Sequence, residues 1–305
     1  MSAMRVATFA SADRMVAAAL RSQSQMNTAQ LQLASGLVSP DYGGLGARSR
    51  QVLDLQSAVA RAQSYADAAD AAGNRVTTMS TALTSMSDIL TSFRAQLAAA
   101  MGPDGAGNGD VLRTTVQGLM DDFAAQLNTQ YAGQYVFGGG RTDVKPVDLD
   151  PYPPALASSP ADTSYYQGDH EVTAVQISDE QVIRYGITAD NSAFEQALRA
   201  FSMIVNSTGS TIDTATLTAA SGLVASAVDG VTAVHSTLAA QAAAMERAAT
   251  SQTDYRDLAR SMVDDLTAVD VAAVTAQLSV YEAQLQASYA ALGKIQGLRL
   301  ADYLR

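Results

Sequence analysis

Apolar or small residues recur at alternating steps of four and three along most of the chain. Met15, Ala19, Ser22, Met26, Ala29 and Leu33 form one such series. Met79, Leu83, Met86, Leu90, Phe93 and Leu97 form a second without a break. Val224, Val228, Val231, His235, Leu238, Ala242 and Met245 form a third, and Val271, Val274, Leu278, Tyr281, Leu285, Ser288, Leu292 and Ile295 a fourth. A period of about 3.5 residues held over several heptads predicts helices wound into a left-handed bundle. Many seam positions are Ala or Ser, which let backbones approach closely but bury little area each. A buried Leu stabilises by roughly 1.5–3 kcal/mol, an Ala by far less. Such seams are marginal alone and gain from neighbours.

Breaks in the pattern set the element boundaries. Five of the seven prolines (Pro146, Pro151, Pro153, Pro154, Pro160) fall close together, and Pro40 and Pro103 lie beside glycines. Proline interrupts helices, so the predicted helical stretches are 10–36, 46–101, 110–132 and 192–305. "SGLVSPDYGGLG" (35–46) and "GPDGAGNGD" (102–110) read as loops. Asn108 or Asp110, Asn191 and Asp270 are placed as helix N-caps, with Glu195 near the first turn after Asn191. The segment 133–190 differs. "QYVFGG" (134–139) reads as a short strand entering a turn. "EVTAVQIS" and "QVIRYGI" are β-branched runs joined by Asp179 and Glu180, a hairpin pattern. The expected fold is therefore mainly α: a long antiparallel helical bundle or coiled coil formed by both termini, with a small β module inserted in the middle. Its expected parts are an N-terminal assembly helix and hinge (1–45), an outgoing shaft (46–135), the β module (136–190), a returning shaft (191–268) and a C-terminal assembly helix (269–305).

Charge refines this picture. Only 16% of the 305 residues are charged, and the net charge is −11. About 25% is typical of soluble domains. Residues 141–200 hold ten acids against four bases, while the first sixty hold five Arg against three Asp. The middle is expected to face solvent, and the nearly neutral ends to pack on other protein. The acidic balance argues against nucleic acid and anionic membrane as partners. No uninterrupted run of eighteen apolar residues occurs, so no membrane insertion is expected. The N-terminal "MSAMRVATFASADRM" has neither an apolar core nor a cleavage site of the secretory kind.

Candidate chemistry is sparse. With no cysteine, there is no thiolate nucleophile, thiolate ligand or disulfide framework. His170 sits between Asp169 and Glu171, where an acid–base group or metal ligand is conceivable, but an exposed polar turn is the simpler reading. His235 lies on a helical seam and reads as a packed histidine. "GPDGAGNGD" has a calcium-turn flavour, yet it occurs once where such turns work in arrays. Asp121–Asp122 and Asp264–Asp265 are neighbours on helices, and adjacent helical side chains diverge by about 100°, so neither makes a carboxylate dyad. Tyr152, Tyr165, Tyr166 and His170 are too few to support a lectin-like binder or an enzyme built on the β module. No catalytic residue, metal ligand or cofactor site is assigned.

Several segments, in order, resemble the flagellin superfamily. "MRVATFASADRMVAAALRSQSQMNTAQLQLASGLVSP" (4–40) is similar to the family's N-terminal helix and hinge, and "QVLDLQSAVARAQSYADAADAAGNRV" (51–76) to its second helix. "GQYVFGGGRTDVKPV" (133–147) and "YYQGD" (165–169) resemble markers of the hook–filament junction branch. The C-terminal segment from Asp270 resembles the family's last helix, and its "ADYL" is closer to that branch's ending than to that of filament flagellins. The hinge departs from the family's acidic "PSDDP" pattern, and the short β module leaves no room for a large outer domain. The resemblance implies a structural adaptor of the bacterial flagellum joining the hook-associated ring to the filament, the alternative being a short filament flagellin. It implies self-assembly into a ring or tube and contact with another hook-associated protein and flagellin. It also implies binding of a flagellar export chaperone, and an extracellular location reached without a cleaved signal peptide. The assembly interface is then expected at Met15, Met26, Leu33, Val271, Val274, Leu278, Tyr281, Leu285, Leu292 and Ile295, with the terminal helices ordering against neighbouring subunits.

Overall fold

The computed structural model describes residues 2–102 and 108–303. Six helices carry the chain: α1 (Ser2–Ser35), α2 (Ser49–Ala100), α3 (Gly109–Leu127), α4 (Ser192–Val205), α5 (Thr214–Thr267) and α6 (Val271–Tyr303). Between α3 and α4 stand two antiparallel two-stranded ribbons, β1 (Gln130–Tyr131) with β2 (Gln134–Tyr135), and β3 (Ala174–Gln176) with β4 (Val182–Arg184). The expected hairpin around Asp179 and Glu180 forms with Val175 opposite Ile183. The chain is mainly α with a small β insertion, as its periodicity predicts.

Two expected helices are shorter in the structure. The stretch 110–132 stops at Leu127. There the Asn128 side chain exchanges two hydrogen bonds with Val147, at 3.0 and 2.9 Å, and starts the β module. The stretch 192–305 is three helices. Its first break follows Val205, where Asn206 donates to Ser202 O at 2.9 Å and Ser207 to Ile204 O at 2.6 Å. Side chains that bond nearby carbonyls compete with the helix. The second break is Ala268 to Asp270, and Asp270 accepts the Ala273 amide hydrogen at 3.0 Å. Asn191 likewise caps α4, accepting from Ala193 at 3.0 Å. At α3 the N-cap is Asn108, but its side chain makes no capping bond.

The chain divides into a central unit, residues 61–255, and a terminal unit formed by 1–60 with 256–305. The central unit holds the large core. Met79, Leu83, Met86, Leu90, Phe93 and Leu97 of α2 are all at most 1% exposed, so the second seam is a packing seam throughout. α5 contributes Val224, Val231, Leu238 and Met245 to the same core. By length and composition α5 could cross a membrane, a property the run-length criterion misses because Ala, Ser and Thr alternate with its larger residues. Val224, Val231, Leu238 and Met245 of this helix instead enter the core. α4 is buried around most of its circumference, including Glu195 and Ser202, which is the pattern of a central helix. Three phenylalanine rings from other elements pack on it. Phe201 stacks on Phe93 with centroids 4.3 Å apart and lies 5.7 Å from Phe123, and Phe194 contacts Phe137 at 6.1 Å. Phe137 belongs to the Gly-rich "QYVFGG" stretch, which is a strand only at Gln134–Tyr135, and just beyond that strand it fastens the β module to the helical core.

The terminal unit is built differently. Among its described residues the buried apolar side chains are Ala19, Ala29, Leu45, Val52, Ala58, Ala259 and Val274. Mostly alanine, they form a thin seam rather than a core.

Candidate assembly surface

α1 is closed by Gly36, whose φ of 71° and N–H bond to Gln32 O end the helix. Leu37 then pairs with Ala268 in an antiparallel bridge. That bridge sets the end of α1 beside the start of α6, so the two helices run antiparallel. They pack along their length, with Cα atoms within 8 Å. Close approach follows from the small residues on the seam.

The residues expected at the interface divide in this arrangement. Met15, Met26 and Leu33 are half-buried on α1, with Ala19 and Ala29 buried between them. Leu278, Tyr281, Leu285 and Leu292 are half-buried on α6, and Val274 is buried at 7%. The half-buried stripe on each helix faces the other helix within this chain, so the seam does not wait open for a neighbouring subunit. Val271, in the first turn of α6, departs from the expected seam: it is 57% exposed. The side chain of Ile295 lies outside the described residues.

Further large apolar side chains are exposed outside that seam. Seventeen large apolar side chains are exposed among the described residues; eleven of them lie in the terminal unit and six in the larger central one. α1 shows Val16, Leu20 and Leu31, the end of α5 shows Leu258 and Met262, and α6 shows Val271, Val280 and Tyr289. Concentrated apolar exposure of this kind marks interaction surfaces in soluble proteins. The sequence carried a signal for part of it. Positions 16, 20, 27 and 31 repeat at helical spacing one residue off the seam of α1, but Asn27 interrupts the series.

The titratable groups are engaged in structure. His170 Nδ1 lies 2.7 Å from Asp190 Oδ2, with the imidazole 81% exposed. His235 is half-buried on α5. Burial, reinforced by charges including Glu195, pushes the phenols of Tyr152 and Tyr165 far up, and burial also raises Tyr166. Tyr165 donates to Ala189 O at 3.0 Å. These phenols stay protonated, and those of Tyr165 and Tyr166 fasten loops through Ala189 O and Asp169 O. Among the described residues no group of three or more His, Asp or Glu is placed to hold a metal ion. A groove of about 580 Å³ at the ends of α2, α3 and α5 is lined by Met101, Leu112, Ile212 and Leu217, and among the described residues no titratable side chain lines it.

Residues 6–142 match the model of the bacterial flagellin N-terminal helical region. No curated protein sequence matches the chain. Among solved structures, a protein from Vibrio parahaemolyticus provisionally named as flagellar hook-associated is similar in fold, with a TM-score of 0.60 at 14% identity over 75% of this chain and 99% of that one. The crystal structure of Bacillus cereus FlgL is similar too, with a TM-score of 0.53 at 13% identity over 70% of this chain and 98% of that one.

Proposed function

We propose, from the match of residues 6–142 to the flagellin N-terminal helical region, that the chain is a member of the flagellin superfamily and the adaptor between the hook-associated ring and the filament of a bacterial flagellum. It is a structural component of hook-associated type and not an enzyme. In this reading the terminal unit assembles with further copies into a ring or tube, and the acidic central unit faces solvent. Another hook-associated protein lies on one side and flagellin on the other. The subunit reaches the cell exterior through the flagellar export route with a chaperone on its C-terminal region.

The observation that carries the reading is the uneven exposure of apolar residues. A thin alanine seam holds α1 to α6, while Val16, Leu20, Leu31, Leu258, Met262, Val280 and Tyr289 remain outside it. At roughly 25 cal/mol per Å² of apolar surface removed from water, covering these side chains with neighbouring subunits stabilises the terminal unit. The short-filament-flagellin alternative makes a different demand on location. Immunogold labelling of intact flagella from the source cell distinguishes them: one band at the hook tip is expected, and label along the filament would replace the adaptor reading with the flagellin one.

A further inference from the structure

The β3–β4 ribbon lies beside α5 and leaves a channel along it. Just after β4, the Gly186 N–H donates to Gln241 Oε1 of α5 at 3.2 Å. In the turn between the strands, Asp179 accepts the Tyr65 hydroxyl of α2 at 2.7 Å. A groove of about 580 Å³ runs between β4 and α5. One wall carries Val182 and Ile183 of β4, and the other Ala244, Arg247, Ala248 and Ser251 of α5. All of these residues belong to the central unit.

The strand on this wall keeps part of its hydrogen-bonding capacity free. The Tyr185 N–H donates to Thr173 O at 2.9 Å, and the Ile177 N–H to Gln181 O at 3.0 Å. Bonded and non-bonded positions alternate in an antiparallel pair. With Val175 opposite Ile183, the bonded positions are therefore 181, 183 and 185. The N–H and C=O groups of Val182 and Arg184 point away from β3, and among the described residues they have no other backbone partner. Burial follows the same period: Val175, Ile177 and Tyr185 are buried, while Ala174, Gln176, Val182 and Arg184 are exposed. An open strand edge is a template for pairing with another chain. Here the wall facing that edge is built from small side chains, which leaves space for a backbone.

The charges at the groove select the strand. Arg184 is exposed on β4. Arg247 donates its Nε–H to Ala243 O of its own helix at 3.1 Å. Among the described residues neither guanidinium makes an ion pair. Glu180 lines the groove at its turn end, so the arginines outnumber the acid there. That balance reverses the one in residues 141–200, where ten acids stand against four bases.

We propose that β4 receives an extended polypeptide segment in which small or β-branched residues alternate with acidic ones, added as a further strand at the ribbon edge. Its backbone pairs with Val182 and Arg184. Its small or β-branched residues face Ala244 and Ala248, and its carboxylates meet Arg184 and Arg247. The proposal goes beyond the adaptor reading and does not rest on it.

The probe is a synthetic octapeptide of alternating Asp and Val, capped at both ends and added to the isotope-labelled full-length chain. At saturating peptide, amide exchange at Val182 and Arg184 is expected to slow about tenfold or more. Exchange at Ala174 and Gln176, on the opposite edge of the ribbon, is expected to stay unchanged. Val182→Pro removes an outward donor and no bond within the chain. It is expected to keep the thermal transition and to lose the protection at Arg184. Arg247→Glu, at an exposed position, is expected to weaken binding of the Asp–Val peptide about tenfold. Unchanged exchange at Val182 and Arg184 would overturn the proposal, as would equal slowing by a Lys–Val octapeptide. Protection of these two amides in the chain alone, rising with its concentration, would also overturn it, in favour of a second copy on the same edge. None of these readings depends on where the protein sits in the flagellum, which the labelling above decides.

Discussion

Asp169 accepts the amide hydrogen of Gly140 at 2.7 Å and that of Glu171 at 3.0 Å, so one exposed carboxylate clips together two loops of the β module. The clip requires glycine at 139, where φ is 71° and an added Cβ would meet the Asp169 carboxylate at 2.3 Å. The Glu171 amide first, and then that of Gly140, hold the Asp169 carboxyl below its usual range. A carboxyl depressed on folding contributes stability above its unfolded pKa and loses it as pH falls through the folded value. Acidification below the ordinary Asp range, about 3.9, should therefore release the clip. Asp169→Asn should loosen it at neutral pH. Amide hydrogen exchange at Gly140 and Glu171 reads this directly, and unchanged protection in Asp169→Asn would count against the clip.

Phe201 has its ring 4.3 Å from that of Phe93 and 5.7 Å from that of Phe123, with all three fully buried. Truncation there leaves a cavity between α2, α3 and α4 that close packing cannot collapse. Phe201→Ala is expected to cost about 3–5 kcal/mol, read as a lower urea midpoint for the central unit. A loss below about 1 kcal/mol would show that the helices repack around the gap.

Glu195 is 3% exposed and faces Arg199 across one helical turn. The Arg199 Nε lies 3.0 Å from Oε1 as a charge contact without an aligned hydrogen bond. The better-aligned bond runs from Nη1 to Ser159 O at 2.9 Å. Glu195 in turn accepts from the Asp162 amide at 3.2 Å. The pair thus holds the proline-rich loop on α4. Glu195→Ala leaves a largely buried guanidinium without its counter-charge and is expected to destabilise by about 3–5 kcal/mol. Replacing both partners by apolar residues of similar volume should cost less than Glu195→Ala alone. A double-mutant loss equal to the sum of the two single losses would mean the two residues are not energetically coupled.

Leu285 is half-buried on α6 in the stripe that faces α1. Leu285→Asp places a carboxylate in that seam, where a poorly paired polar group costs roughly 1–3 kcal/mol. The α1–α6 pair should open, so limited proteolysis should cut α1 and α6 first while the thermal transition of the central unit stays in place. In the source cell the variant should be exported but should not support filaments. Wild-type motility would remove this seam from the assembly.

Much of the helical plan follows from the sequence alone, because a packing seam leaves a periodic trace. The stripe from Met79 to Leu97 was legible as core, Asn191 and Asp270 as caps, and the β3–β4 hairpin from its β-branched runs around Asp179 and Glu180. These are local properties, set by spacing and side-chain chemistry within a few turns. What faces each stripe is not local. The series on α1 and the series on α6 have the same period whether they meet each other or a neighbouring subunit, and only the tertiary structure pairs them within one chain through the Leu37–Ala268 bridge. The breaks after Leu127 and Val205 depend on Asn128 reaching Val147 and on Asn206 and Ser207 turning back onto α4. Burial of Glu195, the seating of Phe137 against Phe194 and the exposure of Val271 are likewise decided by residues far away in sequence. A spacing pattern specifies that a side chain will be covered, whereas the covering partner is chosen by where the whole chain places its helices.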